Sequence, residues 1–91
     1  MEKNSRSEVE AKVKHILISQ LEIRPSILAE SSSTTPLLGR GIGLDSMEVM
    51  ALVAALEREF DIEIPDEDLT TELVKDIGNL AEYVLQKISK R

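Results

Sequence analysis

The sequence predicts an all-α fold, a four-helix bundle with a long first loop and a short third helix. Apolar residues recur at spacings of three and four over four segments, approximately residues 7–22, 46–60, 66–71 and 77–90, as in amphipathic helices. No segment with the apolar–polar alternation of a β-strand competes with them. The length is that of one small domain, so we expect residues 1–91 to form a single domain.

The first predicted helix begins after Ser7, a suitable N-cap residue. It ends before Pro25 at the latest, because the residue preceding a proline disfavours the helical conformation. His15 lies on the flank of the apolar stripe and has no evident partner in the sequence, so we interpret it as a solvated side chain. The stripe itself consists of Val9, Val13, Ile16, Leu17 and Leu21.

A long connection follows, from about Arg24 to Asp45. It exceeds ordinary loop lengths, so we expect it either to be functional or to contain short structure of its own. Three glycines at alternate positions, Gly39, Gly41 and Gly43, allow tight backbone turns just before the next helix. The apolar residues that can attach this loop to the core are Ile27, Leu28, Leu37, Leu38 and Ile42.

The second predicted helix carries two apolar faces. Asp45 as N-cap and Glu48 three residues later form an Asp version of the capping box. One face is an ordinary core stripe, and the other, on roughly the opposite side, exposes apolar residues where a surface helix is normally polar. Burial in extra core stays open as an explanation, but so short a chain favours a surface for partners. The core stripe is Val49, Leu52, Val53, Leu56 and Phe60, and the opposite face is Met47, Met50, Ala51 and Ala54.

The remaining two helices are delimited by Pro65 and Asp76. Pro65 suits the start of a short helix, Asp66 to about Thr71, and Asp76 is a plausible N-cap for the last one. Gly78 in the first turn weakens that last helix slightly. Its apolar stripe is Ile77, Leu80, Ala81, Val84, Leu85 and Ile88, and its C-terminal cations are Lys87, Lys90 and Arg91.

The composition excludes several classes of function. With no Cys and one His, the chain has no disulfide, no thiolate or His-cluster metal site and no cysteine nucleophile. A net charge of −6 with one Phe, one Tyr and no Trp argues against nucleic acid as a partner. No stretch approaches the roughly 20 apolar residues of a membrane span. The charged N-terminal residues contain no apolar signal segment, so we expect a cytoplasmic protein.

The negative charge is concentrated in one part of the chain. Residues 45–76 contain eleven acidic and two basic side chains, a net charge of −9, whereas residues 1–44 carry +1 and residues 77–91 carry +2. A solvated acidic face is the ordinary explanation of such a run. Acidic side chains that flank an apolar stripe favour docking to basic partners instead.

Known phosphate and calcium motifs do not fit. The alternate glycines lack the Lys-Ser/Thr pair of a P-loop, and Leu44 stands where a dinucleotide fingerprint has its last glycine. A calcium loop that begins at Asp61 fails because Pro65 and Asp66 occupy the places of a ligand and the turn glycine.

Ser46 is the candidate site that remains. It stands in the first turn of a helix, beside Asp45 and after the glycine-rich turn. A phosphate ester on its hydroxyl would meet unsatisfied backbone N–H groups and the positive end of the helix dipole. On geometry alone, a modified serine and a serine that merely begins the helix both stay open.

The run Gly43–Met47, Gly-Leu-Asp-Ser-Met, resembles the Gly-x-Asp-Ser-Leu attachment motif of acyl carrier proteins. Residues 55–67, Ala-Leu-Glu-Arg-Glu-Phe-Asp-Ile-Glu-Ile-Pro-Asp-Glu, resemble the end of that family's second helix and the loop after it. The resemblance covers essentially the whole chain in length and helix order. It implies a bundle of the acyl-carrier type and a monomeric carrier with no catalytic residues, no metal and no activity of its own.

The resemblance also implies a site and its partners. Ser46 would carry a 4′-phosphopantetheine arm that a phosphopantetheinyl transferase installs from coenzyme A, and Asp45 would assist recognition by the transferase. Acyl intermediates would be held as thioesters and presented to ketosynthase, acyltransferase, reductase or ligase enzymes. The core between the helices would shelter the acyl chain transiently. Partner docking would involve Met47, Glu48, Met50, Ala54 and Glu57, together with acidic residues of the third helix. We also assign Arg40 to docking, although it departs from the family pattern.

Several positions depart from the family pattern. Ala51 stands where many fatty-acid carriers have an acidic residue, Arg58 adds a positive charge, Arg40 makes the loop before the serine more basic, and about two extra residues lie around residues 71–75. These departures favour a specialised fatty-acid or polyketide-like pathway. An aminoacyl or peptidyl carrier, and a carrier-shaped interaction module that is never modified, stay open as alternatives.

Overall fold

The chain begins with helix α1 (Arg6–Ser19) in the computed structural model, which describes residues 5–90. Its N-cap is Ser5, whose Oγ accepts a hydrogen bond from the Glu8 N–H at 3.2 Å, while Glu8 Oε1 accepts one from the Ser5 N–H at 2.9 Å. The prediction of Ser7 as N-cap is therefore wrong by two residues, although the capping-box pattern Ser-x-x-Glu is present in the sequence.

Helix α1 also ends three residues earlier than the predicted residue 22. Glu22 adopts a left-handed conformation with φ of 60°, and the Ile23 N–H donates to the Leu17 carbonyl at 3.0 Å. These features turn the chain away from the helix axis. A left-handed glutamate has no sequence signature, because glycine or asparagine is the residue expected at such a position.

The long connection contains the short helix α2 (Pro25–Ala29), which begins at a proline. The expectation that this connection contains structure of its own is thus confirmed. Leu28, Leu37 and Ile42 are buried in the core and attach the loop to it, while Ile27 and Leu38 are half-buried against it.

Two further helices and one helical turn complete the described chain. Helix α3 (Ser46–Phe60) is followed by its C-cap residue Asp61, which is left-handed with φ of 54°. The predicted helix 66–71 is only a single 3-10 turn, Asp66–Asp68, and turns lead from it to α4 (Ile77–Lys90). The Asp76 carboxylate caps α4 by accepting the Asn79 N–H at 2.7 Å. Arg91, expected to close this helix, and residues 1–4 lie outside the described residues.

The core lies where α1 packs against α4 and α3. Each helix contributes its apolar stripe, and no polar or charged side chain is buried within residues 5–90. That part of the chain forms no strand, only an isolated bridge between Leu38 and Leu44, so the all-α prediction is confirmed. Among the described helices, none has the length and apolarity needed to cross a bilayer. The fully buried residues include Val9, Val13, Leu17, Leu52, Leu56, Ile77, Leu80 and Val84.

The start of α4 is tied to the long loop and to α1. The Gly78 N–H donates to the Ser33 carbonyl at 2.8 Å, and the Ser33 hydroxyl donates to the Glu10 carboxylate at 2.8 and 2.9 Å. A β-carbon on Gly78 would lie 2.3 Å from Arg6 Nη2 and 3.1 Å from the Ser33 carbonyl oxygen. Gly78 therefore costs the helix some propensity but allows this close approach.

Candidate functional site

A tight glycine-rich loop leads into α3. The Ile42 N–H donates to the Pro36 carbonyl at 2.8 Å and the Leu44 N–H donates to the Leu37 carbonyl at 2.9 Å, so the two sides of the loop are held together. Gly39 (φ 62°) and Gly43 (φ 85°) supply the positive φ angles that reverse the chain. Since Leu37, Ile42 and Leu44 are also buried, the start of α3 is fixed relative to the core.

A reciprocal capping box holds the first turn of α3. Asp45 Oδ1 accepts the Glu48 N–H at 2.8 Å, and Glu48 Oε1 accepts the Asp45 N–H at 3.0 Å. The predicted capping box is thereby confirmed. Ser46 is the first residue of the helix and is exposed, so its hydroxyl is accessible at the end of the helix where the dipole favours an anion.

An apolar cavity of about 310 Å³ opens beside Ser46. One side is formed by Ser46, Val49 and Met50 of α3, and the facing side by residues 69–74, which follow the 3-10 turn. Its lining is completed by Leu38, and the facing side contributes Leu69, Thr70, Thr71, Leu73 and Val74. An apolar group attached to the Ser46 hydroxyl would therefore lie next to an apolar cavity that it can enter.

The second apolar face of α3 is exposed. Met47 is 81% and Met50 52% exposed, Ala51 is exposed, and Ala54 is half-buried. Burial in extra core is therefore the wrong explanation for this face. A groove of about 410 Å³ runs beside it, between Met50, Ala54 and the segment after α3, and carries acidic groups at its edge, namely Glu57, Glu63 and Asp66.

The two acidic residues predicted for docking also have structural roles. Glu48 completes the capping box, and Glu57 Oε2 accepts the Ile64 N–H at 2.8 Å, which fixes the segment after α3. Both residues are half-buried and lie beside the exposed face. Arg40 is exposed in the glycine-rich loop, whereas Arg58 Nη2 donates to Gln20 Oε1 at 3.5 Å, toward the end of α1.

Two residues of α4 near the cavity, Asn79 and Tyr83, were not predicted from the sequence. The Tyr83 hydroxyl donates to Asp68 Oδ2, and Asn79 Nδ2 donates to the carbonyls of Glu72 at 2.7 Å and Leu73 at 3.3 Å. Burial raises the pKa of Tyr83 above its ordinary value, and the hydrogen bond to Asp68 and the surrounding negative charges raise it further. A lone tyrosine about two turns before the end of α4 gave no indication of this contact.

No group of three or more His, Asp or Glu side chains is arranged to hold a metal ion within residues 5–90. The structure is a helical bundle that presents an exposed serine at the start of a helix, next to an apolar cavity. Residues 11–84 match the family described as phosphopantetheine attachment site.

Three curated relatives agree with this class. The chain is 40% identical to an acyl carrier protein of Bdellovibrio bacteriovorus over 80 residues, which is 87% of this chain and 94% of the relative. It is 35% identical over 72 residues to acyl carrier proteins of Wolinella succinogenes and of a Sulfurovum species, 79% of this chain and 87% and 88% of those proteins. The chain belongs to the acyl carrier protein family.

The family fixes several properties. Its members are carriers and not enzymes, they bear a covalently attached 4′-phosphopantetheine group, and they interact with a phosphopantetheinyl transferase and with synthase-type enzymes. The residues present fit that group, because an exposed hydroxyl at a helix start and an adjoining apolar cavity meet the needs of a phosphodiester and of an apolar cargo.

Proposed function

We propose that this chain is a discrete, monomeric acyl carrier protein formed by residues 1–91 and that Ser46 Oγ is the attachment point of the prosthetic group. The observation that carries the proposal is the position of Ser46, exposed in the first turn of α3 and on the edge of an apolar cavity. The bound group supplies a terminal thiol that holds acyl chains as thioesters, which the chain cannot supply itself because it has no cysteine.

The electrostatics at Ser46 support attachment there. The N-terminus of α3 stabilises a phosphodiester on the serine through its N–H groups and its dipole. The exposed Asp45 carboxylate uses Oδ1 for the helix cap and places a negative charge next to the reacting hydroxyl. We assign Asp45 to recognition by the transferase, where a charge-bearing neighbour orients a cationic site on the enzyme.

The cavity beside Ser46 supports transient shelter of the cargo. Its lining is apolar except for Ser46 and the hydroxyl groups of Thr70 and Thr71. An acyl chain that enters the cavity leaves water, and each buried methylene contributes about 0.8 kcal/mol to that transfer.

We assign partner docking to the exposed face of α3, here called the docking face and defined by Met47, Glu48, Met50, Ala54 and Glu57. Its two methionines give an apolar centre that adapts to different partners, and its carboxylates complement basic patches. Arg40, exposed in the preceding loop, adds a positive contact that selects among partners.

The departures from the common pattern support a specialised fatty-acid or polyketide-like pathway. Ala51 is exposed beside the docking face, so a partner meets a neutral methyl group there. The exposed Arg40 changes the charge of the loop before Ser46. The mass of the acyl group that the protein carries in its native host, together with its location in fractionated cells, tests the pathway and the predicted cytoplasmic compartment.

Attachment at Ser46 is tested by intact mass after incubation with coenzyme A and a broad-specificity transferase. We expect a mass increase of one phosphopantetheine group in the native chain and no increase in Ser46→Ala. The matched control is Ser26→Ala, because Ser26 is likewise an exposed serine in the first turn of a helix. An increase that survives Ser46→Ala, or no increase in any variant, overturns the proposal.

The docking face is tested by the initial rate of the same transfer reaction. Met47→Glu places a charge in the apolar centre of the docking face, and Ile18→Glu places one on an apolar side chain of α1 that is 37% exposed. We expect Met47→Glu to lower the rate at subsaturating protein by about fivefold or more, as for a residue that contributes about 1 kcal/mol or more to an interface. Equal rates for the two variants contradict the assignment.

A further inference from the structure

The outer side of the cavity, residues 69–74, is here called the cavity wall. It has no α-helical structure and consists of turns between the 3-10 turn Asp66–Asp68 and the start of α4. Leu73 and Val74 are buried, and across the cavity the wall faces Ser46, Val49 and Met50 of α3. The position of the wall therefore sets the width of the cavity.

Two side chains of α4 hold the cavity wall by hydrogen bonds. Asn79 Nδ2 donates to the carbonyl oxygens of Glu72 at 2.7 Å and Leu73 at 3.3 Å. One turn further along α4, the Tyr83 hydroxyl donates to the carboxylate of Asp68, the residue just before the wall. The wall is thus fastened to α4 at Glu72 and Leu73 and through the residue that precedes it.

Asn79 is well placed for this role because its own position is fixed. Its backbone N–H donates to the Asp76 carboxylate at 2.7 Å, in the cap of α4. The carbonyls that it binds lie in turns outside any regular helix, and the Glu72 carbonyl also accepts the Lys75 N–H at 3.3 Å, so the side-chain amide adds a second tie to this backbone. The contact is therefore a specific fastening of backbone and not incidental packing.

We propose that Asn79 and Tyr83 are positioning residues that hold the cavity wall on α4 and thereby control how long an acyl chain at Ser46 stays sheltered. The inference rests on the proposed attachment at Ser46. Opening of the cavity requires the wall to leave α3, and the three hydrogen bonds to α4 contribute to the free energy of that movement, together with the burial of Leu73 and Val74. Loss of these hydrogen bonds increases the fraction of molecules in which the cavity is open, and the thioester is then exposed to water.

The variants Asn79→Asp and Tyr83→Phe remove these hydrogen bonds with little change of shape. Asn79→Asp replaces the donating Nδ2 by an oxygen that repels the two carbonyls, yet an acidic residue is favourable in the first turn of α4, so the helix is retained. The control is Ser31→Ala, which removes a hydroxyl that donates to the Leu28 carbonyl at 2.7 Å in the long loop, away from the cavity wall.

The test compares cleavage by hydroxylamine of octanoyl and acetyl thioesters on each holo protein. In the native chain we expect the octanoyl thioester to be cleaved more slowly, since only the longer chain reaches the cavity. Each variant should raise the octanoyl-to-acetyl rate ratio by about fivefold or more, since Tyr83→Phe removes one hydrogen bond and Asn79→Asp two, while Ser31→Ala leaves it unchanged. A purely structural role would lower thermal stability without moving this ratio.

A second readout uses the apo protein. Amide hydrogen exchange of Leu73 and Val74 should accelerate by about fivefold in both variants relative to Ser31→Ala, because local opening of the wall becomes easier. Unchanged exchange together with an unchanged thioester ratio overturns the inference while the attachment at Ser46 stands. Failure of the native chain to acquire the group overturns the proposed function itself, and equal cleavage of both thioesters in the native chain overturns the shelter and this inference with it.

Discussion

A β-carbon on Gly41 would lie 1.8 Å from the carbonyl oxygen of Pro36, well inside van der Waals contact. The same oxygen accepts the Ile42 N–H at 2.8 Å, so it cannot move away without losing the hydrogen bond that closes the loop before Ser46. The backbone at Gly41 and the backbone at Pro36 come into contact because Gly41 has no side chain. The direction in which the loop enters α3 depends on this contact.

Gly41→Ala should therefore destabilise the protein by about 3 kcal/mol, the cost of an overpacked site without room to relax. Gly39→Ala is the matched comparison, because a β-carbon there meets open space and the cost comes only from its φ of 62°. For that variant we expect a loss of about 1–2 kcal/mol. Urea denaturation measures both values, and a larger loss for Gly39→Ala would contradict the account of the loop.

Substitutions of Asp45 separate helix capping from recognition by the transferase. Asp45→Ala should cost about 1 kcal/mol in urea denaturation because the Glu48 N–H loses its acceptor, whereas Asp45→Asn keeps an acceptor and should cost a few tenths. If the charge serves recognition, both variants slow the transfer to Ser46. A slow reaction with Asp45→Ala alone would mean that Asp45 acts only through the helix cap.

The pKa of Tyr83 makes stability depend on pH in the alkaline range. Burial, the hydrogen bond to Asp68 and the charges of Asp68, Glu67 and Glu57 raise this pKa above the ordinary value of 10.0. Above that pH the folded state keeps a proton that the unfolded state has lost, so the stabilising contribution is complete below the unfolded pKa and is lost as pH rises through the folded one.

The chain has one tyrosine, so tyrosinate absorbance reports on Tyr83 alone. We expect its titration to begin at higher pH in the folded protein than in urea. The free energy of unfolding should fall less steeply with alkaline pH in Tyr83→Phe than in the native chain. Coincident titrations in the two solvents would argue against the contact with Asp68.

Salt should stabilise the protein because residues 45–76 carry a net charge of −9. The ion pair of Lys75 with Glu72 lies within this segment, and Lys12 of α1 pairs with Glu59, both at 3.1 Å, but both pairs are exposed and contribute little. Added sodium chloride or a divalent cation should raise Tm, by about 4–8 °C for each kcal/mol of repulsion removed. Glu67→Gln should reduce the rise of Tm with salt, because it removes one negative charge from this segment. A Tm that does not change with salt would contradict the prediction.

The helices α3 and α4 could be predicted from the sequence because their signals are local and agree with one another. Asp45 and Glu48 specify the start of α3, and Asp76 specifies that of α4. The exposed second face of α3 followed from simple geometry, since Met47 and Met50 lie opposite the core stripe.

Other features depended on contacts that no local pattern encodes. The 3-10 turn stops at Asp68 although the acidic sequence suits a longer helix, and the chain there is fastened to α4 through Tyr83. The Asn79 side chain donates hydrogen bonds to the carbonyls of Leu73 and Glu72, six and seven residues before it in the sequence. Helix α2 does have a local sequence signal, because Pro25 is a favourable first residue of a helix and Ile27 and Leu28 follow shortly after it. The prediction treated the whole connection as a loop and did not specify this helix.

The packing of α1 against α4 has a consequence for the order in which the protein is synthesised, folds and is modified. Of the described helices, α1 is synthesised before its main partner α4, so this pair forms only after nearly the whole described chain has been made. The Ile77 and Gly78 N–H groups, which hold the long loop through Thr35 and Ser33, also arrive late. We expect that nascent chains lacking α4 are poor substrates for the transferase, and that modification occurs only after α4 has been made.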